Sequence, residues 1–244
     1  MSEVTEDAFF GGKVTVFQPK TGFRAGTDSL LLAAALDHTM QGEALDLGCG
    51  AGGALLPVSY RVPGIAITGL ERDSAMAALA RRGVDANGVQ DRVTIVDGDA
   101  GDLPADWENR FHLVFSNPPF FEAGAIQPPG EGKAAAYLES LNLKNWIGAM
   151  LFALKPKGTL VMIHRAADLA RILSPLERRA GEITVMPVRS FPGDDAKRVI
   201  IRARKGLRPG PLRLLTGIDL YESRGGARSD LMTRVAGEGA GLEW

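Results

Sequence analysis

A chain of 244 residues, 45% of them hydrophobic and 23% charged, has the makeup of a soluble globular protein and the length of one large α/β domain. No apolar run reaches the roughly 20 residues that span a bilayer, residues 1–7 are acidic and are not expected to be a secretory signal, and a single cysteine excludes an internal disulfide, so the cytoplasm is the expected compartment. The net charge of −1 conceals a split: residues 1–154 carry 11 Lys+Arg against 19 Asp+Glu, residues 155–213 carry 14 against 5, and residues 214–244 carry 3 against 5. The basic stretch suits a phosphate-bearing partner and equally suits a solvated surface.

In chain order, residues 1–10 are expected to fray, and residues 13–17 alternate polar and apolar after Gly11-Gly12, predicting one strand of a hairpin. Thr27 or Asp28 is the expected N-cap of a Leu/Ala-rich helix beginning at Ser29. Strands are predicted at 43–47, 65–70, 92–96, 111–116, 158–164, 182–188 and 197–204, and helices at 52–61, 73–83, 139–154 and 166–180. That alternation implies a mostly parallel sheet with helices on both faces. The last two strands lack a helical pattern between them, which predicts an antiparallel hairpin. The expected organisation is an N-terminal hairpin and helix over residues 1–40, then a seven-stranded domain over residues 41–244.

The first predicted strand of that domain carries Asp46 and runs into a glycine-rich turn containing Gly48, Gly50, Gly52 and Gly53. Glycines let the backbone approach a ligand closely, and the helix after them offers free N–H groups. The next strand ends at Glu71-Arg72, about 20 residues on, where a carboxylate can accept bonds from ribose hydroxyls. This spacing serves a nicotinamide dinucleotide and S-adenosylmethionine equally well. The third strand ends at Asp97 and Asp99, one of which can accept a bond from an adenine amino group while the other is a turn residue. Asp46 and this third acidic strand end favour S-adenosylmethionine. No metal-ligand spacing is found among His38, His112 and His164; the last two are read as structural residues of strands. Cys49 reads as a small packing residue.

Asn117-Pro118-Pro119-Phe120 follows the fourth of these strands. Two prolines cannot continue a strand, and Pro119 drives Pro118 into an extended conformation. The exit therefore presents one side-chain amide, carbonyls without competing N–H groups, and an aromatic face, which together suit a planar group bearing an amine. Asn117, Pro118 and Phe120 are the candidate catalytic residues, with Asn117 also at the cofactor. The alternatives are that Asn117 caps a turn and that Phe120 and Phe121 form a hydrophobic plug. Residues 121–133 form a long irregular stretch, read either as a substrate-gripping lid or as disorder. The basic residues of 197–208 read more readily as a solvated strand edge than as a binding site.

These strand ends resemble class I, Rossmann-like S-adenosylmethionine-dependent methyltransferases, specifically the amino-methylating kind with an (Asn/Asp)-Pro-Pro-(Tyr/Phe) motif. Phe9 to Val14, Gln18 to Leu32, Asn87 to Val93, Ser116 to Phe120, Leu154 to Gly158 and Ala196 to Gly206 are similar in order and spacing to the bacterial tRNA adenine-N6 methyltransferase family. The resemblance covers residues 9–220 and implies methylation of an adenosine next to the anticodon, with tRNA as partner. It also implies that the upstream segment lies over the cofactor, giving Arg24, Thr27 and Asp28 roles near its amino acid end. The cofactor contacts expected in full are Arg24, Thr27, Asp46, Gly48, Gly50, Gly52, Glu71, Arg72, Asp99 and Asn117; Phe120, Phe121 and Lys133 are expected on the substrate. The related architecture also serves guanine-N2 methylation of ribosomal RNA and glutamine methylation of release factors. A dehydrogenase would leave Asn117 to Phe120 unexplained, and a non-catalytic RNA-binding or cofactor-sensing module would not need that motif intact.

Overall fold

The computed structural model describes residues 3–21, 24–119 and 143–244. Phe120, Phe121, Lys133 and the stretch 121–133 lie outside the described residues, as do residues 139–142 of the helix expected at 139–154.

Seven strands form the body of the sheet: β3 (Gly42–Leu47), β4 (Ile65–Glu71), β5 (Val93–Asp97), β6 (Phe111–Ser116), β7 (Leu154–Arg165), β8 (Ala180–Arg189) and β9 (Arg198–Lys205). They lie in the spatial order β8-β9-β7-β6-β3-β4-β5. β3 to β7 pair in parallel, whereas β9 inserts antiparallel between β7 and β8. Two-residue strands β10 (Arg213–Leu214) and β11 (Ile218–Asp219) add to β8 and extend the expected seven strands to nine. β7 also starts earlier than expected: Leu154 pairs with Phe111, and the register then slips so that Thr159 pairs with Leu113. Lys157, at a φ of 64°, lies in that bulge.

Alternation along the strands sorts side chains onto two faces. Ala44, Ile67, Phe115 and Val161 join a core with α1 (Thr27–Ala34), α2 (Leu55–Arg61), α3 (Ser74–Ala86) and α6 (Asp230–Glu238). Leu45, Leu70, Val114 and Met162 join another with α4 (Leu143–Ala153) and α5 (Leu169–Leu176). Each fully buried leucine contributes about 1.5–3 kcal/mol. Burial on both sides explains why these strands read as near-continuous apolar runs. Among the described residues, no helix is long and apolar enough to cross a membrane.

Three expectations are corrected. Residues 1–10 do not simply fray: β1 (Val4–Phe9) pairs antiparallel with β2 (Val14–Pro19). Its polar residues could not signal this, because β2 supplies the buried side chains. Thr27 and Asp28 are not the N-cap of α1; Gly26 is, and the helix begins at Thr27 without a side-chain cap. The helix expected over 166–180 is shorter, because Ala166–Asp168 form a 3-10 turn and β8 begins at Ala180.

The hairpin is held to α3. Asn87 accepts from the Thr15 N–H at 2.9 Å and donates to its carbonyl at 2.7 Å, so one side-chain amide imitates a strand neighbour. The Arg82 guanidinium stacks over Phe17 at 3.8 Å.

Candidate active site

The strand ends bearing the predicted residues lie side by side. Asp46 pairs with Gly69 on one flank and Phe115 on the other, Glu71 pairs with Asp97, and Ser116 pairs with Met162. Asp46, Glu71 and Asn117 are thus brought to one edge of the sheet, where open α/β folds bind ligands.

Between β3 and α2 the chain turns through Gly48, Gly50 and Gly52, at φ of 75°, 56° and 84°. Only glycine adopts such values without strain. The Gly48 and Cys49 N–H groups both donate to the Leu70 carbonyl at 2.9 Å. A Cβ on Gly50 would meet nothing within 4 Å, so this part of the turn is open. Pro57 sits in the first turn of α2, where its missing N–H costs little. The Cys49 thiol is buried and its pKa is pushed well up by that burial, then by Asp46 and Glu71, consistent with a packing role.

Asp46 is 1% exposed, and its Oδ2 has no hydrogen-bond partner among the described residues. Burial, and then the neighbouring Glu71, hold its pKa well above the usual carboxylate value. Glu71 accepts from the Gly50 N–H and the Asp73 N–H, each at 2.8 Å, and so braces the glycine turn. Two acidic groups lie beside an open turn, one with an orphaned buried oxygen, and S-adenosylmethionine, with its ammonium and sulfonium, fits this donor set.

At the third acidic strand end both carboxylates have partners within the protein. Asp97 is bound to Arg81 of α3. Asp99 accepts from the Gly101 N–H at 2.7 Å, as a turn residue does, and lies 3.7 Å from Arg72. Upstream, Arg24 pairs with Asp7 at 2.7 Å and donates to the Pro19 carbonyl at 3.1 Å. The Gln18 side chain accepts from the Ala25 N–H at 2.5 Å. These bonds press Ala25 onto the glycine turn so closely that a Cβ on Gly53 would overlap that of Ala25. Thr27 is exposed, and Asp28 pairs with Arg198 at 2.8 Å.

Asn117 is half-buried, Pro118 is buried and Pro119 is exposed. Among the described residues no hydrogen bond to the Asn117 side chain is found. Sequence reasoning missed what fixes this corner. The buried Ser116 hydroxyl donates to the Leu47 carbonyl at 2.7 Å and accepts from Trp146 Nε1 at 3.0 Å. Trp146 also fills the space beside Gly48, where a Cβ would come within 2.8 Å of its ring. One serine and one tryptophan therefore join the strand exit to the glycine turn. His112 accepts from the Glu43 N–H at 3.1 Å at the opposite edge, in the structural role expected.

The basic residues of β9 have internal partners: Arg198 binds Asp28, Arg202 stacks on Trp244 at 4.4 Å, and Arg204 donates to the Lys157 carbonyl at 2.9 Å. β9 lies between β7 and β8, so these residues do not form the solvated strand edge that was expected; they are tied into the fold. No group of three or more potential metal ligands exists among the described residues.

Comparison with known proteins gives the same picture. Residues 15–130 match the family described as "Methyltransferase small domain". The chain is 30% identical over 204 residues to the tRNA1(Val) (adenine(37)-N6)-methyltransferase of Porphyromonas gingivalis, covering 80% of this chain and 79% of that one. A relative of the same name from Aeromonas hydrophila is 28% identical, covering 77% and 79%. In fold it is similar to the crystal structure of a predicted O-methyltransferase from Agrobacterium tumefaciens, with a TM-score of 0.73 at 24% identity, covering 88% and 98%. The chain is an S-adenosylmethionine-dependent methyltransferase and belongs to the bacterial tRNA (adenine-N6)-methyltransferase family of small-domain enzymes.

Proposed function

We propose that this enzyme methylates the exocyclic N6 amine of an adenosine in tRNA, in the cytoplasm. The observation that carries the proposal is the corner at Asn117-Pro118-Pro119, bonded through Ser116 to Leu47 at the start of the glycine turn. The names of the relatives support tRNA as the substrate class.

When bound, S-adenosylmethionine supplies a methyl group already activated by a positively charged sulfur. The burden on the protein is to align a poor nucleophile, since the adenine amine's lone pair is delocalised into the ring. The Asn117 side-chain oxygen and the Pro118 carbonyl accept its two N–H bonds. Electron density then returns to nitrogen, and the lone pair is aimed out of the ring plane. Pro118 has no N–H to compete for either acceptor. Fixed dipoles of this kind and alignment of the reactants each supply several kcal/mol. No strong base is required at the corner, because the nitrogen becomes strongly acidic once methylated and loses its extra proton to water after the transfer, with the sulfur leaving as a neutral thioether.

In this reading Asp46 holds the ligand's positive charge, Glu71 meets its ribose hydroxyls, and Arg72 and Asp99 border its base. Gly48, Gly50 and Gly52 allow its close approach. Residues 1–40 act as an extension over it, with Arg24 and Thr27 near its amino acid end, and residues 41–244 form the catalytic domain. Phe120 stacks on the adenine, worth about 1–3 kcal/mol, and Phe121 and Lys133 also touch the RNA. An adenine that starts stacked in a loop must be flipped out to reach the corner.

The test supplies methyl-labelled cofactor with separate pools of tRNA, ribosomal RNA and release factors, followed by digestion and identification of the product. N6-methyladenosine from the tRNA pool is the expected result. Label in N2-methylguanosine or in a glutamine side chain would replace this reading with one of its relatives.

A further inference from the structure

Two aromatic rings meet on the surface, away from both hydrophobic cores. Phe191 lies in the connection from β8 to β9, and Tyr221 follows β11. Their centroids are 5.7 Å apart with the planes inclined by 38°. The Arg224 guanidinium lies 5.1 Å over the Phe191 ring. Tyr221 is 37% exposed and Phe191 is half-buried. Among the described residues, neither ring is packed into a core. An aromatic pair left outside the interior is the kind of surface that a partner covers.

The backbone holds this group in place. Leu220 and Tyr221 donate their N–H groups to the carbonyls of Arg189 and Ser190, each at 3.0 Å, so the chain after β11 stays beside the end of β8. Tyr221 also bridges Arg228 across a turn, and Ser229 then caps α6. In the β8–β9 connection the chain turns at Gly193, at a φ of 83°, and the Asp194 N–H donates to the Phe191 carbonyl at 3.2 Å. The Asp194 carboxylate binds Arg224 at 2.7 Å, which orients the guanidinium over the ring.

The rings share an edge of the sheet with the Asn117 corner. Ser116 pairs with Met162, Met162 with Ile201, and Ile201 with Val185, so the ends of β6, β7 and β8 and the start of β9 lie together. From β6 through β7 and β9 to β8 are three strand spacings, roughly 15 Å. An RNA chain whose adenine enters the corner can therefore lay a neighbouring base against the rings. Asp194 neutralises Arg224, and Asp195 and Glu222 are exposed on the same two loops. Those acids repel phosphate, so the surface suits the face of a base and not the RNA backbone.

We infer that Phe191, Tyr221 and Arg224 form a second stacking platform, which takes an unpaired base of the RNA flanking the adenosine to be methylated. The inference rests on the reading that an RNA adenine enters the Asn117-Pro118 corner.

The test compares the full-length wild type with Tyr221→Leu, Tyr221→Phe and Tyr221→Trp, using a tRNA pool as the probe. Expected for Tyr221→Leu is a rise in KM for tRNA of about 10-fold. Its kcat, its affinity for S-adenosylmethionine and its melting temperature stay near wild type. Tyr221→Phe keeps the ring and the wild-type KM. Because a base is held and not a phosphate, the ratio of KM between Tyr221→Leu and wild type stays constant as salt is raised. The emission of Tyr221→Trp falls when tRNA is added, beyond any change in the wild type. A wild-type KM in Tyr221→Leu overturns the inference, as does a Tyr221→Phe equally impaired. A ratio that shrinks with salt, or Tyr221→Trp emission that tRNA leaves unchanged, also overturns it. Where Tyr221→Leu proves unstable, the emission decides. If the wild type methylates ribosomal RNA and no tRNA, the proposed substrate fails, and the same comparison on that RNA decides the platform. If it methylates protein alone, both fall.

Discussion

The Ser116 hydroxyl donates to the Leu47 carbonyl across 2.7 Å, joining the last residue of β6 to the last residue of β3. The residues that follow each of them, Asn117 and Gly48, open the two halves of the candidate site, so this bond sets one against the other. The same oxygen accepts from Trp146 Nε1 at 3.0 Å. Ser116→Ala deletes both bonds inside a dry core and is expected to cost about 1–3 kcal/mol of stability. Turnover falls more than cofactor affinity, because the corner is displaced while Asp46 and Glu71 stay in place. Urea denaturation and steady-state kinetics check this; unchanged turnover would mean that the corner is fixed elsewhere.

Ala25 and Gly53 touch so closely that a methyl group on the glycine would overlap the alanine side chain. Gly53 is not among the glycines at positive φ, so its backbone tolerates a side chain and space alone is limiting. Gly53→Ala is expected to push the segment held by Gln18 and Arg24 off the glycine turn, costing about 1–3 kcal/mol as overpacking does. If that segment covers the cofactor, affinity for S-adenosylmethionine drops as well. Adding Ala25→Gly relieves the overlap and restores both quantities. The four proteins form a double-mutant cycle, and strict additivity would rule the contact out as the cause.

Asp46 links pH to both stability and binding. Burial first, and Glu71 second, raise its carboxyl well above the ordinary value of 3.8. An acid shifted this way is favoured in its protonated form. The stability it contributes is complete below the unfolded value and is lost as pH rises through the folded one. Asp46→Asn removes that loss, so the cofactor-free variant is expected to be more stable than wild type at pH values above the folded pKa. The gain is about 1–3 kcal/mol for an unpaired buried group. A cationic ligand favours the ionised form, so binding to the wild type releases a proton and tightens with pH over the same window. Calorimetry in buffers of different ionisation enthalpy counts that proton. Its absence, with unchanged affinity in Asp46→Asn, would detach Asp46 from the ligand.

Most strands of the main sheet were legible because they are short apolar runs flanked by glycine, proline or acidic residues, and β9 because a Val-Ile-Ile run sits among its arginines; the observed ends lie within a few residues of those predicted, except at the start of β7. β1 was not legible: its exposed positions alternate with partly buried ones and none is fully buried, so only pairing with β2 makes it a strand. α6 was missed for a related reason, since Met232 and Val235 are its only buried residues. Its ends were nevertheless written in the chain, with Ser229 accepting from the Met232 N–H and Gly239 at a φ of 74° closing the helix. In the site, the polar strand ends could be read from local spacing. The Ser116–Trp146 bond could not, because 30 residues separate its partners and no periodicity links a strand exit to a helix facing it.

Asn117 separates acceptor chemistry from shape. Asn117→Ala removes the side-chain oxygen and is expected to lower kcat on the order of 100-fold to 1000-fold, the cost of deleting one preorganised polar contact at a reacting centre. Cofactor affinity stays within a few-fold, because Asp46 and Glu71 are untouched. Asn117→Asp keeps an oxygen in nearly the same place and trades the amide nitrogen for a second acceptor. It also brings a carboxylate to an edge that already carries Asp46 and Glu71, which raises its pKa. Its turnover should therefore exceed that of Asn117→Ala and increase with pH as the carboxylate ionises, whereas Asn117→Ala shows no such rise. Equal turnover of the two variants at every pH would remove the side-chain oxygen from the reaction and leave only the prolines' carbonyls to hold the amine.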